Sequence, residues 1–231
     1  MSVWFVTPAW QRYAVSELCF GQRRWLMDRL AAVGIEAECL VVADDHNLDL
    51  ARGFGFRTLE RDNSALGKRF NDGIEYAAEQ GATWIVPIGS DSWLAPAYID
   101  PLPHPSITRT GTHYALISRS RIGEMTIPEV GPYMIHRDRL PKGGRPAEDS
   151  LRTGVDNSTL QGLNGLRWEV RDVHPLQYIA FRPPNVPQLH SYKTLYRRFG
   201  IRQHPSSSQR LQRVYPPELV AAARRMMNSH R

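Results

Sequence analysis

Over the first hundred residues, short apolar runs alternate with stretches whose apolar residues recur every three or four positions. That alternation of strand and helix patterns restricts the chain to an α/β fold, a mostly parallel sheet flanked by helices. Val3-Trp4-Phe5-Val6 reads as a strand ended by Thr7 and Pro8. Val15, Leu18, Cys19, Leu26, Leu30 and Val33 then keep helical spacing and stop at Gly34. Residues 37–42 predict a second buried strand closing on Asp44-Asp45, and a short helix over 48–52 leads to a third strand over 56–59. Leu66, Phe70, Ile74 and Ala77 carry the next helical stripe, ended at Gly81, before a fourth strand over 84–88. Pro87 has no N–H to give a neighbouring strand, so it predicts an end-of-strand bulge or a local edge.

The remainder is less regular. Strands are expected over 114–118, 133–136, 168–173 and 177–181, with a short helix over 158–163. Proline-dense and glycine-bearing loops lie at 101–105 and 142–145, and Pro183-Pro184-Asn185 breaks the order. A last helix over about 217–227 starts after Pro216, with Pro217 suited to a first helical turn. The net charge of +6 is unevenly placed: residues 192–231 hold nine Lys or Arg against Glu218, a balance of +8 that leaves −2 for the rest. The expected organisation is one catalytic domain over residues 1–190 and a basic, helical C-terminal extension over 191–231. Such an extension suits an anionic partner or membrane surface, or is simply solvated. No apolar run is long enough to span a bilayer, and the first residues read as a strand and not as a leader. Cys19 and Cys39 sit in apolar segments without metal spacing. A soluble protein of the reducing cytoplasm is the expectation.

Ligands of open parallel sheets bind beyond the carboxyl ends of the strands, where loops converge and helices begin. Three predicted strands end there on polar residues: Thr7-Pro8, Asp44-Asp45 and Ser90-Asp91. Carboxylates gathered at one edge repel each other unless a cation or hydrogen-bond donors offset their charge. A diphosphate bridged by Mn²⁺ or Mg²⁺ suits such an edge, because both ions prefer carboxylate and phosphate oxygen. Asp44-Asp45 ahead of a helix also suits capping alone.

The order of these residues resembles the inverting, nucleotide-sugar-dependent glycosyltransferases of family two, which have the GT-A fold. Asp44, Asp45 and Asp49 match that family's Asp-Asp-Gly-Ser-x-Asp, with His46 and Asn47 in place of Gly and Ser. Asn63, Gly67, Arg69, Asn71 and Gly73 resemble its Asn…Gly…Arg-Asn-x-Gly stretch. Gly89-Ser90-Asp91-Ser92-Trp93-Leu94 stands where the family has Asp-x-Asp-Asp-x-Leu, so Asp91 keeps one acid while Gly89 and Ser92 replace two. The resemblance covers roughly residues 3–100. It implies that Thr7, Pro8 and Ala9 contact the nucleoside through backbone atoms and that Asp45 or Asp44 accepts from the base. It further implies that Arg69 faces the diphosphate or base, that Ser90 replaces the missing ribose contact, and that Asp91 ligates the metal. The donor would be a UDP- or GDP-linked sugar and the acceptor a hydroxyl of a glycan, protein or small molecule. The family's general base follows the metal strand by several tens of residues, which points to Asp156, or alternatively Asp149. Asp156 also suits the N-cap of the short helix that follows. His174 is a candidate for a further metal or diphosphate contact, and Trp10, Trp25 and Trp93 for stacking or for packing.

Two other functions fit parts of the pattern. A sugar nucleotidyltransferase would want a glycine-rich loop after the first strand, and Thr7-Pro8-Ala9-Trp10-Gln11-Arg12 has no glycine. A catalytically silent nucleotide-sugar-binding module would explain Gly89 and Ser92.

Overall fold

The computed structural model describes residues 1–99, 107–109, 112–118, 121–126, 132–151, 159, 162–163, 168–170, 176–181, 202–205 and 208–229. The first part builds β1 (Ser2–Pro8), α1 (Tyr13–Ala31), β2 (Glu36–Ala43), α2 (Asn47–Gly53), β3 (Arg57–Glu60), α3 (Leu66–Glu79) and β4 (Trp84–Pro87), in the order the periodicity predicts. Beyond it lie β5 (Ser92–Leu94), β6 (Ile107–Arg109), β7 (Thr112–Ser118), β8 (Arg121–Thr126), β9 (Tyr133–His136), β10 (Trp168–Val170), β11 (Tyr178–Phe181) and β12 (Arg202–Pro205). Helices α4 (Ser208–Gln212) and α5 (Pro217–Ser229) follow.

Among the described residues the main sheet has seven strands in the order β10-β6-β9-β4-β1-β2-β3. Only β9 runs against the others, pairing antiparallel with both β4 and β6. Pro87 fits because it sits at a local edge. Ile88 N donates to Val6 O, so the proline nitrogen faces the other side, where β9 pairs β4 only at Trp84 and Ile85. Helix α3 lies close on β1 and β2. A Cβ built on Gly73 would stand 2.5 Å from Val6 Cγ1 and 2.9 Å from Val42 Cγ2, so only glycine permits that approach.

A second sheet takes the order β12-β8-β7-β11-β5. Helix α1 lies between two cores. Phe20, Leu26, Met27 and Leu30 pack with Phe5, Val41 and Val86 of the main sheet. Val15, Leu18 and Cys19 instead join Trp93, Phe181, Tyr215, Val220 and Met226. The described part of the basic segment is thus built into the fold: β12 pairs with β8, and α5 buries Val220, Ala223, Met226 and Met227. The expected boundary after residue 190 and the loop over 101–105 lie outside the described residues. Of the helix expected over 158–163, Thr159 and Gly162 are helical. Cys19 and Cys39 are buried and form no disulfide, and burial pushes the Cys39 thiol up to about 12.

Candidate functional site

The carboxyl ends of β1, β2 and β4 bring the predicted acids to one edge, and hydrogen bonds tie their loops together. Asp45 Oδ2 accepts from the Gln11 backbone N–H at 2.9 Å, across from the β1–α1 loop. Its Oδ1 accepts from Asn47 N at 2.9 Å and Asn47 Nδ2 at 2.8 Å. Asp44 Oδ2 accepts from Asn63 N at 2.8 Å, tying in the loop before α3. Asp49 lies on the exposed surface of α2, where Arg52 donates to it at 2.8 Å.

Arg69 is buried beneath this edge, and its Nη1 donates to Ala9 O at 2.9 Å. Burial lowers its pKa, opposed by Asp44, Asp45 and Asp62. Ala9 N in turn donates to Val42 O at 3.0 Å, so Ala9 anchors the loop on both of its polar sides. Thr7, Pro8 and Ser90 are buried, and the Ser90 hydroxyl has no partner among the described residues.

Asp91 meets a residue that strand-end reading passes over. Arg12 Nη1 lies 2.9 Å from Asp91 Oδ2, in a pair that is 24% and 15% exposed. The other carboxylate oxygen accepts from Ser92 Oγ at 3.0 Å, and that hydroxyl lies 2.9 Å from Tyr178 OH. The Asp91 carbonyl accepts from Phe181 N at 2.7 Å, fixing the backbone to β11. Gly89 leaves room for this arrangement, because a Cβ there would stand 2.8 Å from Asp91 Oδ1. Gln11 and Arg12 both adopt left-handed backbone, with φ of 50° and 49°. Each such non-glycine residue costs on the order of 1–3 kcal/mol, and such strain collects at functional sites. No side chain of ordinary αL preference marks the position, so the sequence carries no signal for it.

Asp149 is engaged elsewhere. Its Oδ1 accepts from Asn71 Nδ2 and from Arg145 Nη2, each at 2.8 Å, while Arg145 also reaches Asp72 and Glu75. Asn71 further exchanges bonds with the Ala147 backbone, and a Cβ on Gly67 would stand 2.0 Å from Glu148 O. The Asn71 bond, then Arg145, holds the Asp149 carboxyl below its ordinary value. A carboxylate held low is a poor proton acceptor. Its clamp contributes fully above the ordinary carboxylate pKa and is lost as pH falls through the lowered one. The protection factors of residues 145–151, taken against the intrinsic exchange rate at each pH, are therefore expected to fall below about pH 4 before the main sheet opens.

Trp93 is 1% exposed and packs edge-on against Phe181, so it is a core residue and not a stacking platform. Trp25 is half-buried beside Tyr215, whereas Trp10 and Tyr13 are exposed on the β1–α1 side of the edge. Asp156 and His174 lie outside the described residues. Among the described residues no three His, Cys, Asp or Glu side chains group to hold a metal. Asp91 does fit the single carboxylate that Mg²⁺ or Mn²⁺ needs when phosphates supply further oxygens.

No protein-family model matches the chain, and no curated protein matches it. Solved structures do. Residues covering 79% of the chain superpose on 61% of a 1–349 fragment of S. aureus TarS, at 14% identity and TM-score 0.57. The same fragment in complex with UDP gives 15% identity and TM-score 0.56, over 80% of this chain and 62% of that one. A putative nucleotide-diphospho-sugar transferase from Desulfovibrio desulfuricans G20 matches over 99% of this chain and 96% of its own, at 13% identity and TM-score 0.51. The chain has a GT-A-like fold. It spans less than two thirds of the TarS fragment.

Proposed function

We propose that the chain is a glycosyltransferase that moves a sugar from a nucleoside diphosphate to an acceptor hydroxyl with inversion. The observation that carries this reading is the meeting of Asp91, Arg12, Asp45 and Asp44 at the carboxyl edge of a GT-A-like sheet. The UDP bound in one TarS structure supports a nucleotide as ligand of this chain. The acceptor oxygen would bond to the anomeric carbon as the bond from that carbon to the phosphate oxygen breaks. The acceptor's proton passes to Asp156, and the diphosphate leaves with its added negative charge. Asp91 would hold a divalent cation, which would supply charge stabilisation to that leaving group. Arg12 is placed to bind phosphate oxygens through its planar fork. A nucleotidyltransferase fits less well, because α1 starts at Tyr13 and leaves only a short loop where a triphosphate would need a glycine-rich one.

Calorimetric titration of UDP and GDP, with and without Mn²⁺, tests the reading on the wild type and Asp91→Ala. Binding of one nucleotide, strengthened by Mn²⁺ and lost by at least about tenfold in Asp91→Ala, is the expected result. A folded protein that binds neither nucleotide would have no donor site. Binding without release of UDP or GDP from any sugar donor would favour the silent module.

A further inference from the structure

We propose that Arg12 is a built-in competitor for the divalent cation at Asp91, released when a nucleoside diphosphate offers its phosphates to the guanidinium. The inference rests on the donor-site reading above. Three observations carry it. First, the 2.9 Å contact places a fixed positive charge on Asp91 Oδ2, while Ser92 Oγ occupies Oδ1. That positive charge repels a cation at the carboxylate and takes up one of its lone pairs, so it opposes metal binding there. Second, the pair is partly buried, so solvent and salt screen it less than a surface pair. Third, the chain holds two consecutive non-glycine residues, Gln11 and Arg12, in left-handed backbone at the point where the guanidinium is delivered. The same turn is pinned by the Gln11 N–H to Asp45. Gly89 completes the arrangement, since a side chain there would crowd the carboxylate out of its present orientation.

The consequence is coupling. Phosphate oxygens are a strong alternative partner for a guanidinium, bidentate where carboxylate is here contacted through one nitrogen. A bound diphosphate therefore draws Arg12 from Asp91 and raises the affinity for the cation. By linkage the cation raises the affinity for the diphosphate by the same factor. Arg12 would thus weaken the hold of Asp91 on a metal ion in the absence of donor.

The test measures free Mn²⁺ by its paramagnetic resonance signal, with and without UDP, for the wild type, Arg12→Ala, Arg12→Lys and Asp91→Asn. The association of Mn²⁺ with UDP in buffer is subtracted, and circular dichroism checks the fold of each variant. The wild type is expected to bind Mn²⁺ weakly alone and at least about tenfold more tightly with UDP. Arg12→Ala is expected to bind Mn²⁺ alone about tenfold more tightly than the wild type, with the UDP effect correspondingly reduced. Arg12→Lys, which keeps a charge but loses the fork, should fall between them, and Asp91→Asn should lose the site. Equal Mn²⁺ affinity in the wild type and both Arg12 variants overturns the inference, as does a wild type that binds Mn²⁺ equally with and without UDP. UDP binding without any Mn²⁺ binding also overturns it, while leaving the nucleotide site in place. Failure of UDP to bind every variant removes the donor-site reading itself and the inference with it.

Discussion

Replacing Trp93 with alanine is expected to lower stability by about 3–5 kcal/mol, the range for emptying a buried tryptophan site. The ring is 1% exposed, with Phe181 and Tyr215 at centroid distances of 4.8 and 4.9 Å. These partners come from β11 and from the turn before α5, so the cavity would open where distant segments meet. Guanidinium unfolding should show a lower midpoint with little change in slope. Trp93→Phe retains most of the apolar contact and is expected to keep UDP affinity within about twofold of the wild type. A stable Trp93→Phe protein that no longer binds UDP would return the ring to the nucleotide site.

Asp156→Asn is expected to lower the rate of sugar transfer by about 10²–10⁴-fold, the usual contribution of a general base. Affinity for UDP should be unchanged, because a base in the proposed role would touch the acceptor and not the nucleotide. Release of UDP or GDP from a sugar donor to an acceptor mixture would measure it, alongside Asp149→Asn as the contrast. The Asp149 variant loses the charge of its pair with Arg145 and should loosen residues 145–151, yet retain turnover within about tenfold. A large loss confined to Asp149→Asn would move the base to that residue. This pair of variants separates a role in chemistry from a role in holding the loop.

The βαβ order of the first ninety residues was legible because β1, β2 and β4 are apolar and lead into polar residues, with Gly34 and Gly81 closing the helices. What escaped has local causes. Ser92–Leu94 and Ile107–Arg109 are three-residue strands, too short for any period to show. Arg121–Thr126 carries charges and Gly123, and Arg202–Pro205 is a polar edge strand whose register depends on β8 alone. At the site, Asp44, Asp45, Asp91 and Arg69 were visible as residue types, and the GT-A-like sheet places the three acids at one edge. Arg12 was not visible, because its contact depends on a left-handed turn that neither Gln nor Arg announces. Trp93 looked available next to Asp91, but strand alternation and the C-terminal helix turn it inward.

The docking of α5 against α1 also sets an order of events during synthesis. Val15, Leu18 and Cys19 share a core with Met226 and Met227. More than two hundred residues of chain therefore separate the two sides of that contact. At ribosomal speeds α5 reaches that core roughly ten to forty seconds after α1 is made, later than Trp93 and Phe181. Until α5 emerges, the part of α1 that packs on Met226 and Met227 has no such cover.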